Sequence, residues 1–199
     1  LPLIKLLSKL RGAGLSFARN EVETHLEKAM EAYFDALQVQ VVYGDGDEVA
    51  KMRLLRRVLD EKRQEMLERI FRLLGLLYDP DDMYRAYLGL VSREASQRAS
   101  ALEFIDNVLE RTTKERLIPL LDYISLEVAV KQGRSLFQRQ IDSRSNALEF
   151  LLGERDDWLR ACAAFSAGAE APETPAAAAR RSPREMVREA AAVALSGRH

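Results

Sequence analysis

Arg98-Ala99-Ser100-Ala101-Leu102-Glu103-Phe104 returns 46 residues later as Arg144-Ser145-Asn146-Ala147-Leu148-Glu149-Phe150. Self-similarity at a period of tens of residues marks an architecture of stacked units, each too small to bury its apolar stripe alone. Two weaker echoes accompany it. Asp81-Asp82-Met83-Tyr84-Arg85-Ala86 resembles Asp156-Asp157-Trp158-Leu159-Arg160-Ala161, and Leu159-Arg160-Ala161-Cys162-Ala163 resembles Val187-Arg188-Glu189-Ala190-Ala191. An acid stands four residues before an arginine at Asp81/Arg85, Glu94/Arg98 and Asp156/Arg160. On a helix that spacing puts both on one face, with the acid toward the positive end of the helix dipole. These pairs are expected to tie one repeat to the next, and Ala101, Ala147, Ala161 and Ala190 to let helices cross closely. The plainer alternative is that such pairs merely solvate helices and that Ala-rich helices look alike.

Outward from the repeats, the rest of the chain also reads as helix. Asn20 and Glu23 form a capping pair for a long amphipathic helix with Val22, Leu26, Ala29, Met30, Tyr33, Phe34 and Leu37 inward, ended by Gly44-Asp45-Gly46-Asp47. Residues 48–78 form one helix of about 30 residues or two in series, stopped by Asp79-Pro80, where a new helix begins. That helix turns Met83, Tyr84, Tyr87 and Leu88 inward. The next, Glu94–Leu109, turns in Ala101, Leu102, Ile105, Val108 and Leu109. Thr112 and Glu115 read as a capping box, Leu126–Phe137 as a helix interrupted around Gly133, and Arg144–Leu152 and Asp156–Ala167 as two more. Residues 168–181 hold no large apolar side chain and read as a flexible Ala/Pro/Glu linker. Ser182-Pro183-Arg184-Glu185 reads as a capping box for a final helix, Met186–Leu195. Val39–Tyr43 is the one β-like run.

Composition narrows the function classes. The chain has 199 residues, with 30 Lys and Arg against 31 Asp and Glu, interleaved along the sequence. A nucleic-acid-binding face needs clustered, uncompensated cations, so no direct nucleic-acid contact is expected. The basic run Arg53, Arg56, Arg57, Lys62 and Arg63 is broken by Asp60, Glu61 and Glu65 and reads as a solvated face. One cysteine, Cys162, excludes an intramolecular disulfide framework. The segment Leu1–Leu10 is short, basic and apolar. Two readings fit it: a first helix packed on the domain, which is preferred, and an amphipathic segment beside a membrane. It has no signal-peptide layout. The start at Leu1 fits a piece of something longer.

Glu68-Arg69-Ile70-Phe71-Arg72-Leu73-Leu74-Gly75-Leu76-Leu77-Tyr78-Asp79-Pro80, followed by Ala101-Leu102-Glu103-Phe104-Ile105-Asp106-Asn107-Val108-Leu109, resembles the soluble HEAT-repeat region of large bacterial membrane proteins. In those proteins this region follows a transporter domain of the ATP/ADP translocase (nucleotide carrier, major facilitator-like) type, and some members add a cyclic-nucleotide-binding domain. The acid-x-x-x-Arg-x-x-Ala core and a period of about 40–47 residues fit HEAT repeats. The resemblance spans residues 1–167 and is best over 62–121. It implies a cytoplasmic helical domain, on the inner face of the membrane, joined to a membrane carrier through an N-terminal region. Arg184 departs from the pattern, which expects an acid four residues before Arg188. The family's transport residues lie in its membrane part, so none carries over.

The expectation is therefore an all-α, HEAT-like right-handed solenoid (α-α superhelix) with long N-terminal capping helices. Residues 1–60 cap it, 61–167 form the repeats, 168–181 the linker and 182–199 a last HEAT-like helix. The expected role is a non-catalytic scaffold or regulatory domain contacting a protein partner or its own membrane domain, with Tyr84, Tyr87 and Trp158 as a candidate partner surface. No cofactor, metal or small-molecule ligand is expected. Asp45, Asp47 and Glu48 lack the further acids of a calcium loop. His25 reads as a surface residue, and Cys162 as a buried small hydrophobe. Packing between repeats is preferred for Trp158, and core packing for the tyrosines around Tyr78. Two rivals stay open: an enzyme on a HEAT scaffold, and a nucleic-acid-binding repeat array.

Overall fold

Apolar side chains spaced by three and four favour helices, and Gly44, Pro80 and Gly153 stand at helix ends. The computed structural model describes residues 2–12, 16–44, 50–122, 125–167, 179 and 182–196. Among these residues every regular element is a helix and none is a strand. The protein is all-α. The helices are α1 (Pro2–Gly12), α2 (Arg19–Tyr43), α3 (Ala50–Leu77), α4 (Pro80–Leu90), α5 (Ala95–Val108), α6 (Arg111–Leu121), α7 (Leu126–Phe137), α8 (Arg144–Gly153), α9 (Asp157–Ala167) and α10 (Glu185–Ser196). No helix of the described residues is long and apolar enough to cross a membrane.

Two compact units result: Leu1–Leu37 with Arg63–Arg139, and Gln38–Lys62 with Gln140–His199. The expected division at residue 60 thus falls inside α3, a single helix of 28 residues rather than two in series.

In the first unit, α4 packs on α5, α5 on α6 and α6 on α7. Its buried side chains include Leu26, Tyr33 and Phe34 from α2, Ile70, Phe71 and Leu74 from α3, and Met83, Ile105, Leu117 and Leu120 from the helices that follow. The α3–α4 stop works as read. The Asp79 carboxylate accepts from the Asp81 and Asp82 amides at 3.0 and 2.9 Å, with Pro80 in the first turn. Two capping assignments need correction. Helix α2 starts at Arg19, so Asn20 lies inside it and Glu23 pairs with Arg19 at 3.2 Å. Helix α6 starts at Arg111 with Glu110 at its N-cap, so Thr112 is no cap. Leu88 and Val108, expected inward, are exposed.

Gly133 does not interrupt α7. A β-carbon there would overlap Cε2 and Cδ2 of Phe34, so the glycine marks where helix backbone lies against an aromatic ring. Phe34 also stacks on Phe137, with ring centroids 5.2 Å apart.

In the second unit, α9 packs on both α8 and α10. Leu159, Cys162, Ala163 and Ala167 enter a core with Val39, Leu55, Leu59 and Leu148. Ala161 and Ala164 enter another with Ala179, Val187 and Ala191. A helix covered on two sides needs small residues nearly all round, which explains the Ala-Cys-Ala-Ala run. Ala179, within the stretch expected to be a linker, is helical and buried. The rest of 168–181, and Asp45, Asp47 and Glu48, lie outside the described residues. Gly44, at φ +49°, closes α2 as expected.

Candidate functional site

The similar segments 98–104 and 144–150 share their burial at most positions, Leu102 being half-buried where Leu148 is buried. Ala101 and Ala147 are buried, as are Ile105 and Leu151 one turn later, while Arg98, Arg144, Glu103 and Glu149 are exposed. The helix starts differ: Arg98 lies in the first turn of α5 after Ala95, whereas Arg144 opens α8. Ala86 and Ala161 are likewise both buried, and so are Leu159 with Val187 and Ala163 with Ala191.

The acid–arginine pairs close differently from the expected spacing. Arg85 pairs with Asp82 at 2.7 Å and reaches only the backbone oxygen of Asp81. Arg160 lies 3.7 Å from Asp157. Glu94 accepts from the Gln97 amide at 2.8 Å, while Arg98 lines a separate cavity of about 290 Å³ beside Tyr33, Arg63 and Ser92. Both carboxylate–arginine contacts are therefore at i, i+3, and of the two acids at i, i+4, Asp156 is taken up with the start of α9. Asp156 accepts from the Trp158 and Leu159 amides, both at 3.0 Å, and from Lys62 at 2.5 Å. Burial alone pushes its carboxyl up, but Lys62 and these amides hold it below the usual range. The arginine that breaks the repeat pattern has a use: Arg184 reaches Asp157 at 2.8 Å and ties α10 to α9. Arg188 donates to the Ser182 backbone oxygen at 2.9 Å.

Tyr84 and Tyr87 are half-buried and stack 5.9 Å apart. Tyr87 also meets Phe71 at 6.2 Å, and Arg72 sits 3.9 Å over the Tyr84 ring. Burial, then the Glu68 and Tyr84 charges, raises the Tyr87 phenol. These rings belong largely to the packing between α3 and α4. Tyr78 lies apart from them, its hydroxyl accepting from the Glu110 amide at 3.1 Å. Trp158, expected between repeats, is 50 % exposed at the start of α9, in the second unit.

An open groove of about 570 Å³ lies between α4 and α5 in the first unit. Its floor is the crossing of Gly89 and Ala101, where a β-carbon on the glycine would come within 2.8 Å of the Ala101 methyl. Leu88, 47 % exposed, and Phe104 line it, and Asp82, Arg85, Ser96, Gln97 and Ser100 form its polar rim. The signal for this groove was present in the sequence as a glycine inside a helical run, the mark of close backbone approach. Two buried polar anchors had no comparable signal. The Gln38 side chain accepts from the Ile141 amide at 2.9 Å, and Asp35 takes Arg139 through contacts of 2.9 and 2.7 Å.

His25 is exposed. Among the described residues no group of three or more His, Cys, Asp or Glu side chains is placed to hold a metal ion. Cys162 is buried, and burial, with the Asp156 charge, pushes its thiol up to about 11. Because the thiolate is the reacting species, 5,5′-dithiobis(2-nitrobenzoate) at pH 8 is expected to label the native chain at least ~100-fold more slowly than the urea-unfolded chain. Equal rates would show an open site. No protein-family model matches the chain, and no curated protein or solved structure matches it.

Proposed function

We propose that this chain is a non-catalytic HEAT-like scaffold or regulatory domain, and that its α4–α5 groove seats a helix of a protein partner or of its own membrane domain. The groove is the observation that carries the reading: an open apolar trough with a charged rim, of the form that accepts an amphipathic helix. The largely shared burial of 98–105 and 144–151, and the packing of consecutive helices, support the repeat interpretation. The resemblance of 68–80 and 101–109 to the HEAT region of nucleotide carriers supports a place on the cytoplasmic side of the inner membrane, joined to a carrier.

The test uses the parent protein, with a photo-crosslinking amino acid at position 88. The expected product is a crosslink to a carrier helix or to one defined partner, reduced at least about fivefold by Asp82→Arg with Arg85→Asp, which inverts the rim. Loss of the crosslink without change in the product of position 128, on α7, would support the groove. A uniform pattern from both positions would rule it out. A parent reading frame without membrane-spanning segments upstream of Leu1 would remove the carrier assignment. Turnover of a small substrate by a chain that captures no protein would remove the scaffold assignment.

A further inference from the structure

Helix α1 has two unlike sides. Arg11 donates to the backbone oxygens of Gly75 at 2.7 Å, Leu77 at 3.4 Å and Tyr78. These carbonyls close the C-terminal end of α3, where unsatisfied acceptors and the helix dipole both favour a cation. Ile4 and Leu7, on the same face as Arg11, are half-buried. That face is thereby held on the first unit. Leu3, Leu6 and Leu10 recur at helical spacing on a different face and are 67, 53 and 37 % exposed. Three leucines in a row facing water within an 11-residue helix are unlike the scattered single apolar residues of an ordinary surface.

The charge of the helix discriminates among possible covers. Lys5, Lys9 and Arg11 are its charged residues, and it has no acid. A second copy of α1 would bring like charges together without compensation. A lipid surface carrying anionic headgroups satisfies both features at once, taking the leucines below the headgroups and favouring a helix whose remaining charges are Lys5 and Lys9.

We propose that α1 is an in-plane membrane anchor, lying on an anionic bilayer with Leu3, Leu6 and Leu10 inserted, while Arg11 fixes its direction relative to α3. The site does not depend on the groove or on the carrier assignment. One short helix with three leucines gives weak, reversible attachment, so the contact orients the domain against a membrane more than it retains it there.

Co-sedimentation of the 199-residue chain with vesicles tests this. Vesicles of equal phosphatidylglycerol and phosphatidylcholine at 50 mM NaCl are expected to bind the chain at least about tenfold better than pure phosphatidylcholine, with most binding lost at 500 mM NaCl. Leu6→Asp is expected to lower binding at least about tenfold with an unchanged circular dichroism spectrum and melting temperature, because the side chain it replaces faces water. Val128→Asp, an exposed aliphatic residue on α7, is expected to leave vesicle binding unchanged. Absence of binding to the anionic vesicles, or full binding by Leu6→Asp, would overturn the proposal. So would concentration-dependent dimerisation abolished by Leu6→Asp in a chain that ignores vesicles, which would assign the stripe to self-association.

Discussion

Gly133→Ala is expected to destabilise the chain by about 1–2 kcal/mol, although alanine is the better helix former. Alanine in place of glycine gains about 1 kcal/mol inside a helix. Here the added methyl meets the edge of the Phe34 ring, which is fully buried and held by its stack on Phe137 at 5.2 Å. The ring is fully buried, so making room moves either Phe34 or α7 out of its packing, and overpacking outweighs propensity. Urea unfolding followed by circular dichroism measures the effect. The double change separates this cause from a general loss of helix. Phe34→Ala alone is expected to cost about 3–5 kcal/mol. Adding Gly133→Ala to it is expected to be neutral or stabilising, because the methyl then enters vacated space. A single Gly133→Ala variant as stable as the parent chain would rule out the close contact.

Arg139→Gln is expected to cost about 2 kcal/mol at neutral pH, less than the loss of a fully buried pair, because the arginine side chain is 46 % exposed against 5 % for Asp35. The pH dependence identifies the cause. Burial pushes the Asp35 carboxyl above its ordinary value of 3.8; the Arg139 hydrogen bond and charge oppose the shift, and the Glu31 charge adds to it. A carboxyl whose folded pKa exceeds its unfolded one binds its proton more readily in the folded chain. Stability therefore falls as pH rises from the unfolded value through the folded one. Removing Arg139 takes away the main opposition and widens that interval upward. The penalty of Arg139→Gln is thus greatest above the raised pKa and shrinks as pH is lowered toward 3.8. Denaturation curves at several pH values between 4 and 8 measure this. A penalty independent of pH would assign the loss to the arginine's packing.

Local rules and contact rules divided the chain in characteristic ways. Asp79 and Pro80 work as a helix stop and start because both act within one turn of backbone. The inward faces of α2 were legible at Val22, Leu26, Ala29, Met30, Tyr33, Phe34 and Leu37, all buried, because a helix this long samples its period many times. The misread positions lie where a second helix sets the outcome. Leu88 fits the apolar period of α4, yet it opens onto the groove because α5 crosses at Gly89. Thr112 and Glu115 have capping spacing, but the backbone enters helix at Arg111. At Asp81/Arg85 and Asp156/Arg160 the residue types stand at nearly the right distance, but each arginine meets the next acid, because Asp156 caps a helix and takes Lys62, while Asp81 offers Arg85 only its backbone.

The all-helical class, the run of helices and the likeness of residues 98–104 to 144–150 are properties of spacing along the chain, and spacing is written in the order of residues. Which glycine is a break and which a contact, which leucine is core and which faces water, and which arginine meets which acid depend on neighbours far away in the chain. Gly133 shows the difference: nothing near it in sequence announces Phe34, and only the meeting of α7 with α2 makes the missing methyl a requirement.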